Sequence, residues 1–451
     1  MQTIPWRRFC LRGVDFLLQR SFSLVVLGTA ALIVSGCSAT APQEPITLTV
    51  NYPSAQQFYK LYGYAFENAN PNISVQVIQD STMDTTMAPS TDLVYLASLP
   101  DLETRIEHGE LVELDSFIRQ TKFDIDSLSP IVLTMLRSAG DGQLFSLAAN
   151  FQSEALYYNK SLFQQYNVPV PHDQMTWEEV LLLAMRFPPE TPEGAPLYGM
   201  HMNFYKNVEL NYILDMGATE GLTYLNADTY QITMNTENWA KIWELAVRAF
   251  QSGAIYDKEE STDADAMLNP PFYMGRAAMT KSSFLTAYNF EPFSKYPNGQ
   301  TTDWGMVTVP VDSHSPSLSR SYSIFENYGI ASSSENKEAA WKLLSFIAND
   351  PTNSTYLAQA APNRGLPANL TYMQPIAGHD LSPLIRLDPA PYTVNPYLVF
   401  PASILDAFAD TTQNIVDEAI AGRLSIPQAL AEVETRGQAA VDEARNKLLN
   451  E

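Results

Sequence analysis

Residues 155–179 read ALYYNKSLFQQYNVPVPHDQMTWEE, and the order of signals within them decides the fold. The first four residues are apolar or aromatic and suit a strand, which Asn159, Lys160 and Ser161 stop with side chains that favour turns. Residues 161–166 suit a brief helical turn. Val168-Pro169-Val170-Pro171 then forces an extended connection, because each proline disfavours helix at the residue before it. Thr176 and Glu179 form a capping box, in which the threonine hydroxyl accepts from the amide three residues on and the carboxylate reaches back to the cap amide. Trp177, Val180, Leu181 and Ala184 fall on one helical face, and Pro188-Pro189 marks the end of that helix. Strand, turn and capped helix make a βα unit of an α/β protein.

The same signals continue on both sides. Upstream, residues 46–50 alternate and are β-branched, Phe58, Leu61, Tyr62, Ala65 and Phe66 recur at helical spacing until Asn70-Pro71, and residues 73–78 read as a second strand. This βαβ order predicts a parallel pair. Residues 92–96 suit a third strand, and residues 101–108 a helix closed by Gly109. Downstream, residues 197–202 suit a strand and residues 208–216 a helix stopped by Gly217. Asn235 or Thr236 caps a helix whose Trp239, Ile242, Trp243, Ala246, Val247 and Phe250 form one apolar face. That regular spacing marks both tryptophans as core. Ser332-Ser333-Ser334 caps a helix carrying Ala340, Trp341, Leu344 and Ile347, and two helices over 402–421 and 427–449 end the pattern.

Several phrases carry a resemblance. YYNKSLF with VPVP and MTWEEV (157–163, 168–171, 175–180), LVELDSFI (111–118), DGQLF (141–145), FYMGRAAM (272–279), WGMVTVP (304–310), SSSENKEAAWKLLSFI (332–347) and RGLP (364–367) together resemble the solute-binding protein family of bacterial ABC importers that includes maltose-binding protein. The resemblance implies a two-lobed α/β fold of the type II periplasmic-binding kind, each lobe a mixed sheet flanked by helices, with hinge strands between. It places residues 46–158 and about 280–340 in an amino-terminal lobe and about 159–279 and 341–451 in a carboxy-terminal lobe. It further implies a monomer that takes a carbohydrate by lobe closure, uses no cofactor, and delivers its solute to ABC permease subunits. The sequence departs from the family between Asp80 and Asp92, where STMDTTMAPST replaces an expected helix, and near Ala148, where the family favours proline.

The first 37 residues have the makings of a lipoprotein leader. Arg7, Arg8, Arg12 and Arg20 are basic, residues 22–34 are apolar and too few to span a bilayer, and Val34-Ser35-Gly36-Cys37 resembles a lipobox. Cys37 becomes the lipidated residue on this reading, and residues 38–45 are a tether to the outer face of the cell membrane. With Cys10 in the leader, no thiol is left for a disulfide framework. The formal charge is −23, and four arginines against Asp15 put the leader at +3, so the remainder carries about −26. Nucleic acid is therefore excluded as a general partner.

The sequence lacks GxGxxG after a strand, GxxxxGK[ST], HExxH, GxSxG and CxxC, and its five histidines are scattered, which argues against catalysis and against a metal site. A sugar cleft needs aromatic faces for the pyranose ring and amides or carboxylates for hydroxyls, and the 23 tyrosines offer both. Candidates are residues where strands end toward the inter-lobe opening: Tyr52, Asp92, Tyr95, Asn150, Phe151 and Glu154, then Phe204, Tyr205 and Asn207. Ser283 and Phe284, near a position where relatives carry a stacking aromatic, and Glu326, Asn327 and Arg364 complete the set. Two other function classes stay open, a tethered ligand sensor and a carbohydrate-active enzyme.

Overall fold

The computed structural model describes residues 44–79, 90–204, 206–258, 270–295, 302–376, 378–391, 397 and 400–450. The leader with Cys37, most of the tether, most of the altered 80–92 segment and Tyr205 lie outside that set. The strands in chain order are β1 (Ile46–Tyr52), β2 (Ile73–Gln79), β3 (Leu93–Leu96), β4 (Ser146–Ala148), β5 (Asn150–Phe151), β6 (Glu154–Asn159), β7 (Tyr198–His201), β8 (Ala277–Ser283), β9 (Trp304–Thr308), β10 (Leu318–Ser319), β11 (Asn327–Ile330), β12 (Leu366–Pro367) and β13 (Asp388–Pro389).

Two mixed sheets organise them. The first has the order β2-β1-β3-β11-β4, with β1 parallel to β2 and β3 as the βαβ spacing predicts, and β11 antiparallel to β3 and β4. The second has the order β7-β8-β6-β9, with β6 antiparallel to both neighbours and β7 parallel to β8. Because side chains alternate across a strand, β6 serves two cores. Ala155 and Tyr157 join Trp304 and Met306 in a core continuous with the first sheet. Leu156 joins Met279 and Val307 under helices Trp177–Ala184, Val208–Thr219 and Glu237–Gln251 in a second core.

The stretch quoted first folds as its signals predict. β6 ends where Asn159 caps helix Lys160–Gln165, its Oδ1 accepting from the Leu162 amide at 3.2 Å. Thr176 Oγ1 accepts from the Glu179 amide at 3.2 Å, while Glu179 Oε2 accepts from the Thr176 amide at 2.8 Å. The helix ends at Ala184, ahead of the prolines, because Arg186 and Phe187 already donate to Leu183 and Ala184 in a tightened last turn.

Three expectations change. Gly217 does not stop its helix, which runs Val208–Thr219; a Cβ there would sit 2.1 Å from the Trp239 ring, so the glycine permits close packing. The serines before helix Lys337–Asn349 do not cap it, since Ser334 Oγ instead donates to Asp92 at 2.5 Å. That helix packs its Ala340, Trp341, Leu344 and Ile347 in the first core, so the chain enters the second core later than residue 341, by Phe400 and Ile404. Amphipathic spacing shows that a helix buries a face, and it does not say against which sheet.

Candidate functional site

Chain crossings between the sheets build the site. Residues 150–151 pair with β12 beside the first core, and two residues later Glu154 opens β6 of the second sheet. Residues 319–327 make the return journey, and the Gln152 amide donates to the Ser323 carbonyl at 2.8 Å where the two segments meet. Phe284 donates its amide to Ser153 at 2.9 Å, tying in the end of β8.

On the second-sheet side, Glu154 lies opposite Ser283 and Lys281 opposite Leu156, so both charged side chains project from one face. Asp215 reaches them from helix Val208–Thr219. Lys281 Nζ lies 2.8 Å from Glu154 Oε2 and 3.0 Å from Asp215 Oδ1. Burial opposes the ammonium charge, yet the two facing carboxylates outweigh it and hold the lysine pKa above its ordinary value. Burial raises that of Asp215, with Lys281 opposing. These groups open into a cavity of about 340 Å³ that is also lined by Thr219, Asp312, Ser319, Arg320 and Ser321. A smaller cavity of about 150 Å³ also has Ser319 and Arg320 in its lining and reaches Met135 of the first core.

On the first-sheet side, aromatic residues gather at the ends of β1 and β3 and along β11. Tyr52 packs edge-on against Tyr95, ring centroids 5.1 Å apart, and nearly parallel to Tyr328 at 6.4 Å. Glu326, buried at their centre, accepts from the phenols of Tyr328 at 2.5 Å, Tyr62 at 3.2 Å and Tyr52 at 3.3 Å through Oε1, and pairs with Arg364 through Oε2. Arg364 also donates to Tyr52 Oη at 3.2 Å, and its carbonyl accepts from Gln152 Nε2 at 2.7 Å. Burial raises the pKa of Tyr52, Tyr62 and Tyr95, so all three stay protonated donors near neutrality.

The structure thus brings Tyr52, Tyr95, Glu326 and Arg364 together, puts Glu154 in the cavity, and sets Asn150 beside Gly365 on the crossing segment. Other candidates are placed elsewhere. Phe151 and Phe284 are wholly buried and pack the first core, and Asn327 is wholly buried with Nδ2 on the Leu96 carbonyl, so none of the three has surface to offer a solute. Asp92 ties strand to strand, accepting from the Thr49 amide, Ser334 and Asn336. Asn207 donates to Asp410, and Phe204 packs edge-on against Tyr212. Ser283 pairs with Glu154 across β6 and β8, its carbonyl accepting from Tyr157.

Lys281, Asp215 and Phe325 were missed. A lysine within AAMTKSS, a buried strand of small and apolar residues, calls for a counter-charge, and an acid one position before the buried Met216 could have supplied it. Phe325 shows no such signal; it is 59 % exposed, and its carbonyl accepts from Tyr95 Oη at 3.4 Å.

Comparison with known proteins agrees with this architecture. The family described as bacterial extracellular solute-binding protein matches residues 62–384. A binding protein of Brucella abortus is 22 % identical over 344 residues, covering 73 % of this chain and 78 % of its own. Among solved structures, a sugar transporter of Rhizobium etli in an open conformation is 19 % identical, with a TM-score of 0.62 over 87 % of this chain and 99 % of that one. The sugar-binding protein MalE of Xanthomonas citri is 18 % identical, with a TM-score of 0.61 over 90 % of this chain and 100 % of its own. Among the described residues no helix is long and apolar enough to cross a membrane. The chain belongs to the bacterial extracellular solute-binding proteins, two-lobed α/β proteins that act outside the cytoplasm.

Proposed function

We propose that this protein captures a carbohydrate, an oligosaccharide in particular, by closing its lobes and hands it to an ABC permease, while a lipid on Cys37 holds it at the outer face of the cell membrane. The observations that carry the reading are the cavity into which an ammonium and two carboxylates open, on the second-sheet side, and the cluster of tyrosines around Glu326 and Arg364, on the first-sheet side. Sugars ask for that combination, since hydroxyls both donate and accept while the ring offers an apolar face to aromatics. Two of the structural neighbours are named for sugar transport or sugar binding, which favours the same solute class. The protein binds and releases its solute unchanged. Incubation with an oligosaccharide panel, following thermal shift and product formation together, tests this. Stabilisation without turnover is expected; turnover would make the protein an enzyme, and an unshifted melting temperature across the panel would remove the carbohydrate.

A further inference from the structure

Glu154, Asp215 and Asp312 line the larger cavity with Lys281 and Arg320, and the pairing among them is uneven. Lys281 is shared by Glu154 Oε2 at 2.8 Å and Asp215 Oδ1 at 3.0 Å, so its charge is answered twice. Asp312 turns elsewhere, its Oδ1 accepting from the His314 amide at 2.9 Å with the His314 ring Nδ1 at 3.1 Å. Arg320 is left with no ion pair or hydrogen bond among the described residues. The chain has 50 acidic residues against 27 basic ones, so a shortage of carboxylates does not account for this. Nor does the side chain simply trail into water. Its Nη2 would lie 3.0 Å from a Cβ built on Gly221, and Gly221 sits at φ +71°, in the left-handed region that glycine tolerates. Arg320 also lines the smaller cavity, together with Tyr322. A guanidinium laid against a glycine at the wall of two cavities has its fork of donors unspent.

That fork matches a carboxylate. Two parallel N–H groups meet two oxygens, the contact is charged on both sides, and it fixes direction as well as adding energy. A neutral hydroxyl offers one oxygen and no charge, so it uses less of what the arginine provides. The rest of the wall suits the rest of an acidic sugar. Ser319 and Ser321 share one hydrogen bond between their hydroxyls at 2.7 Å, which leaves one of the two protons free to donate, and Glu154 has an oxygen besides the one on Lys281 to accept from a sugar hydroxyl. Charge limits the anion. Three acids against two bases already give the lining one net negative charge, so a singly charged group set on Arg320 is favoured over a phosphate, which brings close to two. We propose that the solute is an acidic sugar, a uronic acid or an oligosaccharide containing one, whose carboxylate is received by Arg320. This rests on the carbohydrate reading above and adds to it the solute's charged group and the residue that selects it.

Isothermal titration of the full chain with matched pairs tests the proposal: glucose with glucuronate, galactose with galacturonate, and galactobiose with digalacturonate, each beside the 6-phosphate of the same monosaccharide. At least one acid should bind tenfold or more tightly than its neutral partner, and the 6-phosphate should bind less tightly than that acid. Arg320→Met should remove the preference, bringing acid and neutral partner within threefold of each other; the side chain is exposed and unpaired, so the variant should melt close to the parent protein. Arg320→Lys, which keeps the charge and loses the fork, should retain only part of the preference. A neutral sugar bound as tightly as its acid, an Arg320→Met variant with the preference intact, or a 6-phosphate held more tightly than the acid overturns the proposal while leaving carbohydrate capture standing. A parent protein that binds no member of the panel removes both.

Discussion

His201, at the end of β7, is almost wholly buried, and neither ring nitrogen has a hydrogen-bond partner. Burial, helped by repulsion from Arg276, lowers its pKa from 6.5 to about 3. In the unfolded chain the ring takes a proton below about 6.5, whereas in the fold it stays neutral down to about 3. The unfolded state therefore binds more protons across that window, and stability falls as pH drops from 6.5 toward 3, by up to about 1.4 kcal/mol per pH unit for this one group. In His201→Gln the melting temperature should fall less steeply over pH 6.5 to 4 than in the parent; parallel curves would show that the histidine is protonated in the fold. Glu326 presents the opposite case, a buried charge whose partner is present. Arg364→Met should cost about 3–5 kcal/mol, measured by urea unfolding, because it leaves that carboxylate buried and uncompensated. A loss below about 1 kcal/mol would mean that the three phenols suffice without the guanidinium.

Among the elements, helix Trp177–Ala184 has its start written in sequence and confirmed in geometry, with both capping bonds of Thr176 and Glu179 made. Thr176→Ala should cost about 1 kcal/mol in chemical denaturation. Gly217→Ala should cost more, about 1–3 kcal/mol, because its methyl group would run into the buried Trp239 ring. The difference between these positions explains what was legible. A cap is local, so its residues sit three apart in the sequence; the contact of Gly217 with Trp239 lies between helices, and the sequence alone read the glycine as a stop. The site divides in the same way. Tyr52, Tyr95 and Glu154 are at strand ends and could be named from position, while Phe151 and Phe284 share such positions but turn inward to the core. Which way a side chain turns where a strand leaves its sheet depends on the neighbouring strand, here β12 for Phe151. Lys281 and Asp215, 66 residues apart, meet only once a helix has been laid across β8.

At the scale of the whole molecule, two cores meet around the crossing segments, with a polar cavity at Glu154, Lys281 and Asp215 and a tyrosine cluster around Glu326. If Cys37 carries the proposed lipid, Cys37→Ala should move the protein from the membrane fraction to the soluble one, and a variant that stays in the membrane would place the anchor elsewhere. Closure is part of the proposed function. A solute that touches both walls gains its second set of contacts only when the lobes approach, so its affinity is greater for the closed arrangement, and that difference is what shifts the population. Small-angle scattering at saturating sugar should give a smaller radius of gyration than the free protein. At a hundredfold excess over Kd, unfolding should also be harder by about 2.7 kcal/mol. Stabilisation of that size with an unchanged radius would mean that the solute binds to one lobe without drawing in the other, and capture would then not depend on a hinge.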